Sequence, residues 1–555
     1  MKKYILLIAL ILFSPAVYAA GYGINIDSDG NIKVLDPAST WNNEIIVDDY
    51  NDILSYDNDV LTIKENAQIG EITIARSTTI TSNNKEVTIK GQINKKYGID
   101  SNVEIVFDKV VLSENTSISQ IYNFETTIKD SIIRNVQSIS SYTGPLNIIN
   151  STVYCPRIVS RGDMTIKNSR IYGTSNGIIK VEGNSDTMRI IDSEVEAWNI
   201  YTNGSNEHFE FTNSKIHPAE GSDELNITHY MSTTYSIIVK NCDIVASKFG
   251  DSSPNKMVIE DSSIVTKRLE LSSYTEITNS YIQGTEYSQS TSSSDEYPNP
   301  NTIVNNSTII LNGVFNKNSN TVLGKHWTLN NSRFIASGYN IYMYSYGDDK
   351  MCLDINDSYF SLEGKLVTSG NINVKNSYFL VNNTYDDTGA FECFDLYYDD
   401  SVYPLDINNR KVLLDEPYNE YGERKLIYED GTIASSIKIV YRVKIVLKVA
   451  NGTWADGTTE DKIIYKDVWD KLSSSDIPTG MISENGVDGY WSDEISLDDY
   501  LKGDLEYTYT FKEVKGVEEN PVTGVFKYSF IFLFIAGSLI YLYKMIKNKS
   551  LFKLN

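Results

Sequence analysis

Between about residues 100 and 380 the chain is written in short runs of alternating apolar and polar positions, and one phrase keeps returning: apolar, any, Asn or Asp, Ser, any, apolar. It reads Ile128-Lys129-Asp130-Ser131-Ile132-Ile133, then Ile149-Asn150-Ser151-Thr152-Val153, then Ile166-Lys167-Asn168-Ser169-Arg170-Ile171. It continues at Asp192-Ser193, Asn213-Ser214, Asn241-Cys242, Asp261-Ser262, Asn279-Ser280, Asn306-Ser307, Asn331-Ser332, Asp357-Ser358 and Asn376-Ser377, twelve occurrences in all, spaced 18 to 28 residues apart. Alternation on both sides of the pair predicts a strand before it and a strand after it. The Asn or Asp between them tolerates a left-handed bend and can bond its own backbone, so each phrase predicts strand, corner, strand. No run shows the three-and-four spacing a helical repeat needs. Self-similarity with this period predicts a coil of short strands stacked on the coil below, with Asn side chains bonding in a ladder and the small Ser half buried behind them. Asn241-Cys242 fills the same slot with a thiol.

This pattern resembles the right-handed parallel β-helix of the pectin-lyase-like superfamily over roughly residues 55 to 385. The expected fold is all-β: a right-handed parallel β-helix, then a small β-grasp-like domain and one C-terminal transmembrane helix. The expected division is a signal peptide at 1–19, an N-terminal cap at 20–60, the β-helix at 61–385 and a C-terminal cap or linker at 386–438. A small β stalk domain follows at 439–512, then a linker with a sorting motif at 513–524, a transmembrane helix at 525–543 and a basic cytoplasmic tail at 544–555. Regular coils at the usual strand spacing would give a stack of about fifteen turns.

The ends of the chain predict export and anchoring. Lys2-Lys3, an apolar block from Tyr4 to Phe13 and Val17-Tyr18-Ala19 make a secretory signal peptide, the block being too short for a retained span. Near the other end Asn520-Pro521-Val522-Thr523-Gly524 precedes a largely apolar segment of nineteen residues, Val525 to Tyr543, with Lys527 near its outer end, and then Lys544, Lys547, Lys549 and Lys553, which places the tail inside. This order resembles the cell-wall sorting signals of sortase substrates in Gram-positive-type bacteria, whose usual pentapeptide is Leu-Pro-any-Thr-Gly. The resemblance implies that a sortase-like transpeptidase attacks the Thr523 carbonyl, that Gly524 leaves as the amine and that Pro521 kinks the substrate. Asn520 departs from the usual Leu, and the alternative is a permanent membrane tether. Residues 439 to 512, with Gly452-Thr453-Trp454, Asp456-Gly457-Thr458-Thr459 and Tyr507-Thr508-Tyr509-Thr510-Phe511, resemble the short β-rich stalk repeats of Gram-positive surface proteins, related to the β-grasp repeats of adhesins, the alternative being an ordinary small β domain with no stalk role.

Composition narrows the partners. Acidic residues outnumber basic ones 73 to 49, a formal charge of −24, and the signal and tail contribute only lysines, so the exposed part is more acidic still. Such a surface repels nucleic acid and anionic polymers, and no nucleic-acid partner is expected. Four scattered cysteines, Cys155, Cys242, Cys352 and Cys393, show no metal spacing and read as buried small apolar residues, Cys352 with Cys393 being the one pair worth testing. Asp27-Ser28-Asp29-Gly30-Asn31 looks like part of a calcium loop but lacks the downstream bidentate Glu and reads as a turn. No metal or organic cofactor is implied.

For activity the fold is silent. Polygalacturonase-like relatives carry Asn-Thr-Asp, Gly-Asp-Asp, Gly-His-Gly and Arg-Ile-Lys elements, and only Gly347-Asp348-Asp349 matches. His208, His217, His229 and His326 sit in other surroundings, and no catalytic residue is assigned. Alternating Tyr342, Tyr344 and Tyr346 form a candidate stripe for stacking on sugar rings, or else cover a neighbouring coil. The reading is therefore an adhesin-like surface protein that binds an extracellular glycan or protein. Its alternatives are a polysaccharide lyase or hydrolase on the same scaffold, or a structural spacer.

Overall fold

The computed structural model describes residues 21–512, apart from 41, 100–101, 124, 230–235, 252–255, 290–300, 314–319, 324–325, 339, 344–350, 384–388, 401, 421 and 484–485. The signal segment, the Asn520-Pro521-Val522-Thr523-Gly524 motif and the apolar stretch 525–543 lie outside them. Among the described residues no helix is long and apolar enough to cross a membrane. The chain divides into two compact units.

The first unit is a parallel β-solenoid of about 14 turns, nearly all strand. Every one of the twelve predicted corner residues has a left-handed backbone, with φ between +47° and +51° from Asp130 to Asn376. The strands before the corner form one parallel sheet, with Ile148, Ile166, Ile190, Phe211, Val239, Ile259 and Ile277 in register from turn to turn. The strands after it form a second, in which Val153, Ile171, Val195 and Ile216 are in register. A third set, including Ile139, Ile158, Ile179, Ile200 and Ile227, closes the coil. Their inward side chains make one continuous buried core. Near its end the core carries a stack of rings, Phe334 on Phe360 at 5.1 Å and Phe360 on Phe379 at 5.4 Å.

The corner explains why serine follows asparagine. A left-handed residue turns the next N–H away from the strand ladder and into the interior, where an unreceived donor is costly. The serine of the following turn receives it. Ser131 N–H donates to Ser151 Oγ (3.1 Å), Ser151 to Ser169 (3.1 Å), Ser169 to Ser193 (3.1 Å) and Ser193 to Ser214 (3.2 Å). The column resumes from Cys242 through Ser262, Ser280, Ser307, Ser332 and Ser358 to Ser377. Each hydroxyl in turn donates to the carbonyl two residues back in its own turn, as Ser151 does to Ile149 (2.7 Å). These residues are 0–6% exposed. Outside, the corner carboxamides bond one another, Asn213 to Asp192 (2.9 Å), Asn241 to Asn213 (2.8 Å) and Asn279 to Asp261 (3.0 Å). Cys242 keeps the place with its thiol donating to the Lys240 carbonyl (3.3 Å). All four cysteines are buried and none is in a disulfide, so Cys352 and Cys393 are not bridged.

Antiparallel strands close both ends of the stack, which keeps open sheet edges from pairing with other chains. At the start Tyr22–Ile26 and Ile32–Leu35 make a hairpin, and Leu54–Asp57 folds back on Val60–Ile63 through Asn58 and Asp59, both left-handed. Asp27 Oδ1 accepts from the N–H groups of Asp29 and Asn31, so the calcium-like sequence is a turn. At the far end Ser436–Val440 runs antiparallel to Tyr378–Asn382, and Arg424–Tyr428 antiparallel to Phe391–Cys393.

The second unit is a small mixed sheet in the strand order Lys462–Asp467, Arg442–Ala450, Leu505–Phe511, Gly489–Trp491. Its first and last strands in sequence are parallel neighbours, from Ile445 with Leu505 to Ala450 with Thr510. Trp454 is fully buried and donates to the Glu460 carbonyl (2.8 Å). At Gly452 a Cβ would meet the Phe511 ring at 2.4 Å, so only glycine fits. The described residues hold one short 3-10 turn, Ser474–Asp476, and no α-helix, so the β-grasp likeness goes no further than a small β unit.

Two kinds of corner variant should separate the two contributions. Ser262→Ala strips the acceptor from the Cys242 N–H and should cost about 1–3 kcal/mol. Asn279→Ala forces an alanine into the left-handed region and should cost about 1–2 kcal/mol, while Asn279→Gly should cost much less. Denaturant midpoints of the full chain, followed by circular dichroism, measure all three.

Candidate ligand-binding cleft

The third corner of the coil has no repeated sequence phrase, and its outward residues are free to vary. The backbone N–H groups of Lys96, Tyr142, Arg161, Glu182 and Asn203 each bond a carbonyl of the preceding turn, at Ile74, Asn123, Ser141, Ser160 and Val181. They therefore stand in one column along the solenoid. Beside it on the third sheet a second column runs through Asn94, Tyr122, Ser140, Val159, Lys180 and Tyr201.

The two columns and the turn after Glu86–Lys95 enclose a cleft of about 400 Å³, lined by Lys95, Lys96, Tyr97, Gly98, Ile99, Tyr122, Asn123 and Tyr142. Gly98 has φ +83° and lets the turn reverse. The Lys95 ammonium donates to the Ile99 carbonyl and ties the turn shut. Tyr97 stands at its tip, fully exposed. Tyr122 and Tyr142 lie 5.7 Å apart with their rings tilted by 52°. The Arg161 guanidinium sits 4.6 Å from the Tyr142 ring centre, a cation over a π face. Burial, and then the neighbouring Tyr142, holds the Tyr122 hydroxyl above its usual range, while Arg161 pulls the other way. Asn123 is buried at the floor, its amide nitrogen donating to the Val103 carbonyl (2.7 Å). The arrangement offers flat aromatic faces, a polar floor and positive charge, which suits stacking against a ring that carries polar groups.

A larger groove of about 590 Å³ follows the Asn ladder from Asn213 to Asn306, with Tyr281 and Lys215 at its edges. Several of its carboxamides and carboxylates are already bonded to one another, as Asn241 is to Asn213 and Asn279 to Asp261, so it offers less to a ligand than its size suggests. The cleft is the better site because Tyr97 is fully exposed and Tyr142 is 42% exposed.

No protein family, curated protein or solved structure matches the chain.

Of the tyrosine stripe expected from sequence, Tyr342 lies on Asn340–Met343, half buried, in register with Val322 and Val367 on the neighbouring turns. Tyr344 and Tyr346 lie outside the described residues, as do Gly347, Asp348 and Asp349. The four histidines are dispersed. His208 bonds Ser236 (2.8 Å), His217 approaches Asp243 (3.7 Å) and His326 approaches Asp354 (3.3 Å), whose other oxygen accepts from Asn373 (3.2 Å). The His326 hydrogen bond holds the Asp354 carboxyl below its usual range. Among the described residues no group of His, Cys, Asp or Glu could hold a metal ion.

Sequence reasoning missed a buried acid beside the third corner. Glu207 and His229 are both fully buried with 3.6 Å between Oε2 and Nδ1, and Glu207 Oε2 accepts from the Gly204 N–H (2.8 Å) while His229 also bonds Thr202. Burial pushes the Glu207 carboxyl up to about 7 and the His229 imidazole down to about 4. The two shifts act oppositely on stability. A raised acid leaves the folded state binding the extra proton, so its contribution is lost as pH rises from the ordinary Glu value through about 7. A depressed histidine costs stability as pH falls from its ordinary value through about 4.

Glu207→Gln keeps an acceptor for Gly204 but cannot ionise. It should raise stability above that of the unaltered chain at pH 8, by roughly 2–3 kcal/mol. The gain should vanish near pH 4, where Glu207 is neutral, and thermal melts at the two pH values measure it.

Proposed function

We propose that the chain is an exported surface protein of the adhesin kind, with the solenoid held out from the cell by its C-terminal segment and binding a saccharide or a saccharide-bearing protein in the Tyr97 cleft. The reading is supported above all by one observation: a fully exposed tyrosine at the tip of a pinned turn lines one cleft with two further tyrosines on a stack of strands. Aromatic faces supply contact area at low entropic cost, and a stacked scaffold holds them in place before the ligand arrives. The signal-like start, the Asn520-Pro521-Val522-Thr523-Gly524 motif and the apolar segment 525–543 support presentation outside a Gram-positive-type cell. The small β unit would then act as a spacer.

Binding of the full chain to a glycan array and to host or neighbouring cells tests the activity. Tyr97→Ala should weaken that binding by about tenfold with the fold unchanged, a loss in the range of one aromatic contact. Undiminished binding by the Tyr97→Ala, Tyr142→Ala double variant would sink the assignment of the cleft. For the anchor, mass spectrometry of cell-derived protein should find a chain ending at Thr523 joined to an envelope amine. A chain intact to Asn555 would instead mark a permanent tether.

A further inference from the structure

The cleft stands out chemically as well as in shape. Over the whole chain acids exceed bases, 73 to 49, yet Lys95 and Lys96 line it and Arg161 stands over Tyr142 from the adjoining turn. Glu182, in the column of Tyr142 and Arg161, is already shared between Lys180 and Arg161. Glu125, one turn from Tyr142, lies against Gly144. Lys96 is exposed, and its ammonium group makes no hydrogen bond or ion pair among the described residues. At physiological salt, charges more than about 8 Å apart are largely screened, so a ligand in the cleft responds to these nearby cations more than to distant acids.

From this we propose, resting on the saccharide-binding reading above, that the cleft selects a sugar bearing a carboxylate. The ring stacks against Tyr97 and the Tyr122–Tyr142 pair, and the carboxylate meets the Lys96 ammonium, with Arg161 beyond Tyr142 adding positive potential. Both uronic and sialic acids supply this chemistry, and the negative surface elsewhere disfavours such a sugar away from the cleft.

Isothermal titration of the full chain with trigalacturonic acid, with 3′-sialyllactose and with neutral lactose tests the inference. At least one acidic probe should bind ten times more tightly than lactose, and which one does so identifies the source of the carboxylate. Lys96→Glu should remove that preference, so that acidic probes bind no more tightly than lactose, with the melting temperature unchanged, and Lys96→Arg should keep it. Equal affinity for acidic and neutral probes, or a preference untouched by Lys96→Glu, would overturn the inference and leave the binding reading standing if Tyr97→Ala still weakens binding. Failure of every probe and of the whole glycan array to bind would overturn both.

Discussion

At each bend the N–H that follows a left-handed residue points into the core, and almost everything else in the solenoid depends on what receives it. Strand pairing between parallel turns cannot, because the corner interrupts the ladder at that point. A short side chain with a hydroxyl can: it accepts from the turn before and donates to its own backbone two residues back, as in the column from Ser131 to Ser214. Each serine thus satisfies two polar backbone groups in an otherwise apolar interior. The column also fixes register, because a slip by one residue would carry the hydroxyls out and the isoleucines with them.

That constraint governs one corner of three and leaves the others free. The twelve Asn and Asp corners keep nearly one backbone geometry, although the spacing between them ranges from 18 to 28 residues. The surplus length is taken up elsewhere in the turn, so variation accumulates where it does not disturb the serine column. The tyrosines, the uncompensated lysine and the buried Glu207–His229 pair all lie on or beside the third corner. A rigid column on one side and a permissive corner on the other is a common division in repeat proteins, where stability comes from the stacked core and recognition from what the turns display.

Much of this was legible in the residues. Asn and Asp report a left-handed bend because few other side chains accept one, and Ser reports the hydroxyl that the bend requires. The start of the column was not legible. Lys109 adopts φ +57° and Val110 donates its N–H to Ser131 Oγ (3.0 Å), so a corner exists there with neither residue of the phrase. That turn can lack the hydroxyl because the corner before it bends differently: the Lys85 N–H donates to the Ser82 carbonyl and asks for no acceptor from the turn of Lys109. Glu207 and His229 gave no sign either, because a buried acid and a surface acid are written alike and only the surroundings distinguish them.

By itself the sequence determined the strand–corner–strand unit, its repetition and the stacking of serine behind asparagine, since these follow from the conformational preference and hydrogen-bonding capacity of single residues. It also carried the reading of the cysteines as small buried side chains. Only the tertiary structure decided that Lys96, Tyr122, Tyr142 and Arg161 share one cleft, and that one glutamate is buried against a histidine. Those meetings depend on how many residues each turn spends before it returns to the same corner. Turns of unequal length carry no periodic mark at that corner, and the neighbours there become known only once the coil is closed.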